Sequence, residues 1–357
     1  MTPFQQRMPW FGGDLQTIRD TFIKVKLPAD QGQPVEIPVP ALASGAAGSG
    51  RLLAMLDYPT RSRKPRAVII LLHGLGGSSR REGLRRMAIA FQQAGFAVLR
   101  LNLRGADPGR NLAGGTYAAE CNSDLLPVLL RARQLCRELV DSPSKGSEAL
   151  PLFGAGLSLG GTILLNACLR QPQEKQALEP LLDGLVCISS PLDLAACSNS
   201  IERPRNSIYQ HWLLKRLVRQ TLADPFGVSA EEKRALSVGK GPPTTIRAFD
   251  AAITAPRWGY ENVDAYYNLA SPLGELLDHP RYLPKTLLMQ AFDDPWVPVF
   301  AAQQLADQLI KSSEGPLKVV LTKKGGHNGF HGKGGCWGDD LAVNWLTILA
   351  EDFADKI

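Results

Sequence analysis

The stretch Pro151–Leu165, PLFGAGLSLGGTILL, holds one serine, Ser158, between glycines at 156 and 160. The apolar run before it, LPLFGAG, reads as a buried strand, and Ser158 to Arg170 reads as a helix. A turn this tight needs neighbours without bulk, because the residue between them is held in a strained conformation. It lifts a hydroxyl above the sheet at a helix N-terminus, where backbone N–H groups favour developing negative charge. The same pattern fits a glycine-rich turn that merely packs helix on strand, with the serine as N-cap. The chemistry therefore depends on what else the chain brings to that turn.

Working outward from it, short apolar runs alternate with helix-like stretches. AVIILLHG (from Ala67), FAVLRLNLRG (from Phe96) and GLVCISS (Gly184–Ser190) read as strands, with helices at EGLRRMAIAFQQAG, closed by Gly95, and at Ser123–Leu139. That alternation predicts an α/β fold, a mostly parallel central sheet flanked by helices. It breaks after Pro191 and resumes with KTLLMQAFDDP and LKVVLTKKGGH as strands, a helix from about Phe300 to Ile310 between them, and a last helix over roughly Asp340–Asp355. The expected organisation is one domain over 1–357, with a core of about 1–194 and 280–357 and a helical cap inserted at 195–279. Nearer the start, Thr21–Leu27 and Arg51–Tyr58 read as strands, separated by a flexible ALASGAAGSG loop (Ala41–Gly50).

The totals exclude several classes. Hydrophobic residues make up 44% and charged residues 21% of 357, the balance of a chain with a sizeable core. No apolar run approaches the ~20 residues of a transmembrane helix, and no basic-then-apolar leader is visible, so cytoplasmic residence is the expectation. The formal charge of +6 is spread out. Its densest clusters, RSRKPR (Arg61–Arg66) and RREGLRR (Arg80–Arg86), flank core elements and read as solvated surface, so nucleic acid is not an expected partner. Six cysteines form no C-x-x-C pair, and Cys121, Cys136, Cys168 and Cys187 are expected as small buried hydrophobes rather than disulfides.

A serine hydroxyl is a weak nucleophile until a base takes its proton. Of five histidines, His327 follows the last predicted strand, and the strand before that ends in Asp293 and Asp294. Serine, then aspartate, then histidine is the chain order of the α/β-hydrolases. Counted from Ala291, the pattern Ala-x-x-Asp-x-x-x-Pro runs through Asp294 to Pro298 and matches the usual acid-loop spacing of that fold, which favours Asp294 as the acid and leaves Asp293 as a turn former. HGLGG (His73–Gly77) closes the first buried strand, where this fold takes one oxyanion donor; the residue after the nucleophile gives the other. The expected donors are the N–H groups of Leu75 and Leu159. No lysine follows those glycines as a phosphate loop requires, and His73 is expected to fix its loop.

His327, His331 and Cys336 in HNGFHGKGGC have ligand-like spacing, but the surrounding glycines argue for a loop, and no metal is expected. In the cap, Trp212, Leu213, Leu217, Val218 and Leu222 form a stripe at helical spacing, with Lys215, Arg216 and Arg219 assigned to the opposite face. Core packing is the first reading of such a stripe; peripheral lipid contact or acyl-chain lining is the second.

In order along the chain, HGLGGSSR, LNLRG, GLSLGGTILL, SSPLDLAAC, AFDDPWVP and GGHNGF resemble the YheT-like α/β-hydrolases, and PWFGGDLQTI resembles their N-terminal "QT" segment. The resemblance runs from about Pro9 to Trp345. It implies carboxylic ester hydrolysis on Ser158, Asp294 and His327 without a cofactor, on a small short-chain or acylglycerol ester. Thioester or amide hydrolysis on the same residues, and a non-catalytic binding protein of the same fold, are the alternatives. One departure touches substrate choice: relatives carry a Tyr-His-Ser-Gly-like run where this chain has Tyr117 followed by Ala118 and Ala119.

Overall fold

The computed structural model describes residues 2–61, 64–140, 149–170, 181–236, 243–280, 283–311 and 315–355, so Ser62 and Arg63 of the first basic cluster lie outside the described residues. Eight strands form one sheet: β1 (Gln33–Val39), β2 (Gly50–Asp57), β3 (Val68–Leu72), β4 (Ala97–Leu101), β5 (Leu152–Leu157), β6 (Gly184–Ile188), β7 (Lys285–Ala291) and β8 (Leu317–Thr322). Their order is β1-β2-β4-β3-β5-β6-β7-β8, antiparallel for the β1–β2 and β2–β4 pairs and parallel from β4 onward. The central parallel strands β3, β5 and β6 carry only apolar residues and glycine because both faces are covered. In β3, Val68, Ile70 and Leu72 enter one buried cluster, while Ile69 and Leu71 enter the cluster on the other face.

Helices α1 (Gly12–Phe22), α2 (Glu82–Gln93), α3 (Asn122–Glu138) and α4 (Leu159–Leu169) precede β6. Every residue of α4 is buried. Between β6 and β7 the described residues form helices only: α5 (Leu194–Ile201), α6 (Ser207–Leu222), α7 (Ala230–Leu236), α8 (Ile246–Phe249) with a π-helical turn at Asp250–Thr254, α9 (Ala255–Arg257), α10 (Val263–Ala270) and α11 (Leu273–Asp278). Part of this segment has its own core of Leu213, Leu214, Leu217, Ile246, Phe249 and Ile253. Helices α12 (Phe300–Lys311) and α13 (Trp337–Ala354) complete the chain. Among the described residues no helix is long and apolar enough to cross a membrane.

Two expectations are corrected. Thr21–Leu27 is no strand: α1 runs through Phe22, and the chain then stays unpaired until β1. The free edge of β2 is taken along its length by Gln33–Val39, so the alternation at 21–27 finds no partner. Nor is RREGLRR uniformly solvated. The Arg86 guanidinium donates to Asp339 at 2.6 Å and to Asp20 at 2.6 Å, tying α2 to α13 and α1.

A second arginine fixes the loop that leads toward the serine turn. Arg104, fully buried, forks onto Asp124 at 2.8 and 2.6 Å and donates to the carbonyls of Gly114 and Pro40. Removing one partner of such a pair strands the other charge in the interior. Arg104→Ala is expected to lose about 3–5 kcal/mol in urea unfolding, and adding Asp124→Ala should recover part of that loss. Additive losses would show that the two side chains act separately.

Candidate active site

Ser158, His73, Asp294 and His327 all follow strands at their carboxyl ends, on β5, β3, β7 and β8. This is where open α/β sheets place ligands. The turn after β5 is as tight as its glycines imply. Ser158 adopts φ 53°, ψ −126°, a region L-residues seldom visit. A Cβ on Gly156 would sit 2.3 Å from the Gly161 nitrogen, and one on Gly160 would sit 2.6 Å from the Leu72 carbonyl oxygen. Both positions admit only hydrogen.

The three residues meet in one chain of hydrogen bonds. Ser158 Oγ lies 2.9 Å from His327 Nε2, and His327 Nδ1 lies 2.9 Å from Asp294 Oδ2. The Asp294 side chain is fully buried, and its other oxygen accepts from the backbone N–H groups of Trp296 (2.8 Å) and Val297 (2.9 Å). Gln290 Nε2 donates to Oδ2 at 3.0 Å. With every lone-pair direction toward the backbone filled, the carboxylate has one fixed face for the imidazole, which makes Nδ1 the protonated ring nitrogen and leaves Nε2 to accept from the serine. Asp293 is turned elsewhere, accepting from the Gly326 N–H at 2.9 Å.

The His73–Gly77 loop crosses directly over the serine: a Cβ on Gly74 would stand 2.8 Å from Ser158 Cβ. His73 Nδ1 donates to the Gly74 carbonyl at 2.8 Å, and Nε2 accepts from the Leu103 N–H at 3.3 Å. Burial pushes its pKa down to about 4, so the ring is neutral at pH 7. Tyr117 accepts from the Gly76 N–H at 2.6 Å, and Gly77 N–H donates to Gly74. Among the described residues, the N–H groups of Leu75 and Leu159 find no acceptor in the chain.

These groups open into a cavity of about 330 Å³ with mainly apolar walls, including Leu75, Leu194, Ile201, Leu213, Leu217 and Val297. The stripe on α6 contributes Trp212, Leu213 and Leu217. Arg216, assigned from sequence to the opposite face, lines the same cavity: it stacks on Trp212 (4.6 Å) and donates to the Gly76 carbonyl. Residues 212, 213, 216, 217 and 220 share one side of a 3.6-residue helix, and hydrophobicity alone hides the arginine among them. Ala118 lines the cavity beside Tyr117. Asp250, whose carboxyl is pushed up to about 6 by burial, reaches it too, accepting from Thr254 (2.6 Å) and Tyr267 (2.9 Å).

Sequence reasoning missed what holds the histidine loop. Thr17 Oγ1 accepts from the His327 N–H at 2.8 Å, and Gln16 accepts from the His331 N–H at 2.7 Å and donates to the His331 carbonyl. The "QT" pair of α1 is therefore a brace, and a Cβ on Gly13 would fall 1.8 Å from the Asp293 carbonyl. Trp296 lies against the His327 ring at 4.4 Å. The three residues weighed as metal ligands face different partners: His331 Nε2 lies 3.1 Å from Asp20, and Cys336 accepts from Arg86.

Residues 69–333 match the sequence model of the Alpha/beta hydrolase family. YheT of Escherichia coli (strain K12) is 29% identical over 84% of this chain and 82% of its own length. Phospholipase ABHD3 of Mus musculus is 28% identical over 76% of this chain, which spans 60% of that protein's length. Monoacylglycerol lipase of Saccharomyces cerevisiae is 26% identical over 84% of this chain and 63% of its own. Among solved structures, a Pyrococcus furiosus esterase is similar at a TM-score of 0.52 with 12% identity, covering 92% of this chain and 95% of that one. The match over 69–333, on a mostly parallel sheet that puts a serine, a histidine and an aspartate at the ends of its strands, places this chain in the alpha/beta hydrolase family.

Proposed function

We propose that the protein is a serine hydrolase of carboxylic esters, with Ser158 as nucleophile, His327 as general base and acid, and Asp294 as the group that orients the imidazole. The observation that carries this reading is the Ser158–His327–Asp294 hydrogen-bond chain opening into an apolar cavity. The relatives named as a phospholipase and a monoacylglycerol lipase support it.

The chemistry follows from the atoms. His327 Nε2 takes the Ser158 proton as Oγ attacks the ester carbonyl. The oxyanion forms under the N–H groups of Leu75 and Leu159, free donors on either side of the serine. His327 then gives its proton to the departing alkoxide, leaving an acyl-enzyme. Water enters the alkoxide's place and loses a proton to the same nitrogen as it attacks the acyl carbon; the acyl–Oγ bond then breaks, His327 returns that proton to Ser158 Oγ, and the acid leaves. Asp294 holds the ring through Nδ1 and stabilises the imidazolium. The segment at 195–279 acts as a cap whose α6 wall shelters the acyl chain.

Two measurements test this. A fluorophosphonate probe should label the chain once, on the peptide containing Ser158. With p-nitrophenyl esters of increasing acyl length, kcat/KM should rise about fourfold per CH₂ until the cavity is filled. Labelling at another residue, or a flat chain-length profile, would sink the reading.

A further inference from the structure

Beside the apolar cavity, and sharing Gly76, Gly77, Arg81, Arg216 and Gln220 with its wall, lies a second cleft of about 400 Å³. Five arginines line it: Arg80, Arg81, Arg110, Arg216 and Arg219. Its one carboxylate, Asp107, is engaged by Arg110 at 2.9 Å. Among the described residues, the other four have no carboxylate within ion-pair distance. Arg216 is half-buried, and burial together with the charges of Arg81 and Arg219 pushes its pKa down to about 10. Four unneutralised guanidinium groups on one concave surface repel one another. Arg216 is held in it by Trp212 and the Gly76 carbonyl, while the described residues supply Arg80, Arg81 and Arg219 no acidic partner.

We propose that this cleft binds a phosphate group on the alcohol portion of the substrate, so that the enzyme's preferred esters are acyl esters of a phosphorylated alcohol. The inference rests on the ester-hydrolase reading and names its substrate class. The apolar cavity takes the acyl chain, which leaves the alcohol portion to the polar side of the serine. There the cleft begins at the Gly76–Gly77 loop, next to the expected oxyanion donor Leu75. Phosphate suits the cleft better than carboxylate. A phosphate monoester carries close to two negative charges and three acceptor oxygens, matching several forked guanidinium donors at once. A carboxylate satisfies one.

The test uses the whole chain and monomeric short-chain substrates. Octanoylglycerol and octanoylglycerol phosphate share an acyl group, and octanoylglycerol hemisuccinate supplies a carboxylate control. The phosphorylated ester should have the higher kcat/KM. Arg80→Gln with Arg219→Gln, which line the cleft and not the apolar cavity, should lower that value about tenfold, given that both side chains are exposed, and leave octanoylglycerol within about twofold. Octyl phosphate, which has no ester to cleave, should bind the wild type in a calorimetric titration and not the double variant. Failure of octyl phosphate to bind overturns this inference whatever becomes of the ester chemistry. If it binds while no ester is turned over, the cleft stands and the ester-hydrolase reading falls. Equal preference for the hemisuccinate overturns the choice of phosphate. Loss of binding to anionic phospholipid vesicles in the double variant, with the monomeric preference unchanged, would overturn the substrate assignment in favour of a membrane-docking surface.

Discussion

Ser158→Ala should lower kcat on p-nitrophenyl butyrate by about 10⁶-fold, with an unchanged far-UV spectrum and melting temperature. The fold should tolerate the change because the strain of the turn is held from outside the side chain. Ser158 keeps φ 53° because its N–H donates to the Ile188 carbonyl and the Gly161 N–H donates back to its own carbonyl. Alanine is no more bulky there than serine. What disappears is the one oxygen within 2.9 Å of His327 Nε2. Without it the imidazole has no proton to take, so His327→Ala should cost about the same, and the double variant little more than either single one. Additive losses would mean that the two side chains do not act as a unit. Residual activity within about a hundredfold of wild type would point to a different nucleophile.

The parts of this site that the sequence disclosed are those written locally. Ser158, Asp294 and His327 each follow an apolar run, and the parallel sheet brings the ends of such runs to one edge without help from distant residues. Gly156 and Gly160 are legible for the same reason, since the constraint on each comes from the turn it stands in. The brace on the histidine loop was not legible: Gln16 and His331 are 315 positions apart, and nothing in either neighbourhood announces the other. Thr21–Leu27 alternates like a strand, yet a strand needs a free edge, and which edge is free is a property of the whole sheet. Arg86 and Arg216 failed in a common way. Both were assigned away from the core by charge, but one is half-buried between two aspartates and the other half-buried against an indole ring and a carbonyl. Long basic side chains bury their stems readily, so charge predicts the position of the head and not of the residue.

Asp294→Asn should lower kcat about 10⁴-fold while Asp293→Asn changes it by less than about tenfold, although the two residues are adjacent and chemically identical. The difference lies in what surrounds each carboxylate. Asp294 Oδ1 faces two backbone donors, Trp296 and Val297, whose positions are fixed. An asparagine must turn its carbonyl oxygen to them, because an amide NH₂ in that place would oppose two N–H groups. Its NH₂ then faces His327 Nδ1, which must give up its proton and accept. The imidazole is left with its proton on Nε2, pointing at the Ser158 hydroxyl it is meant to deprotonate. Geometry is kept and the tautomer is wrong, so KM should change little and the loss should fall on kcat. Asp293 makes a different demand: its Oδ1 accepts from one N–H, that of Gly326, and an asparagine oxygen does this equally well. A fall in kcat at Asp293→Asn as large as at Asp294→Asn would mean that the imidazole is oriented by the turn as a whole and not by the one carboxylate it touches.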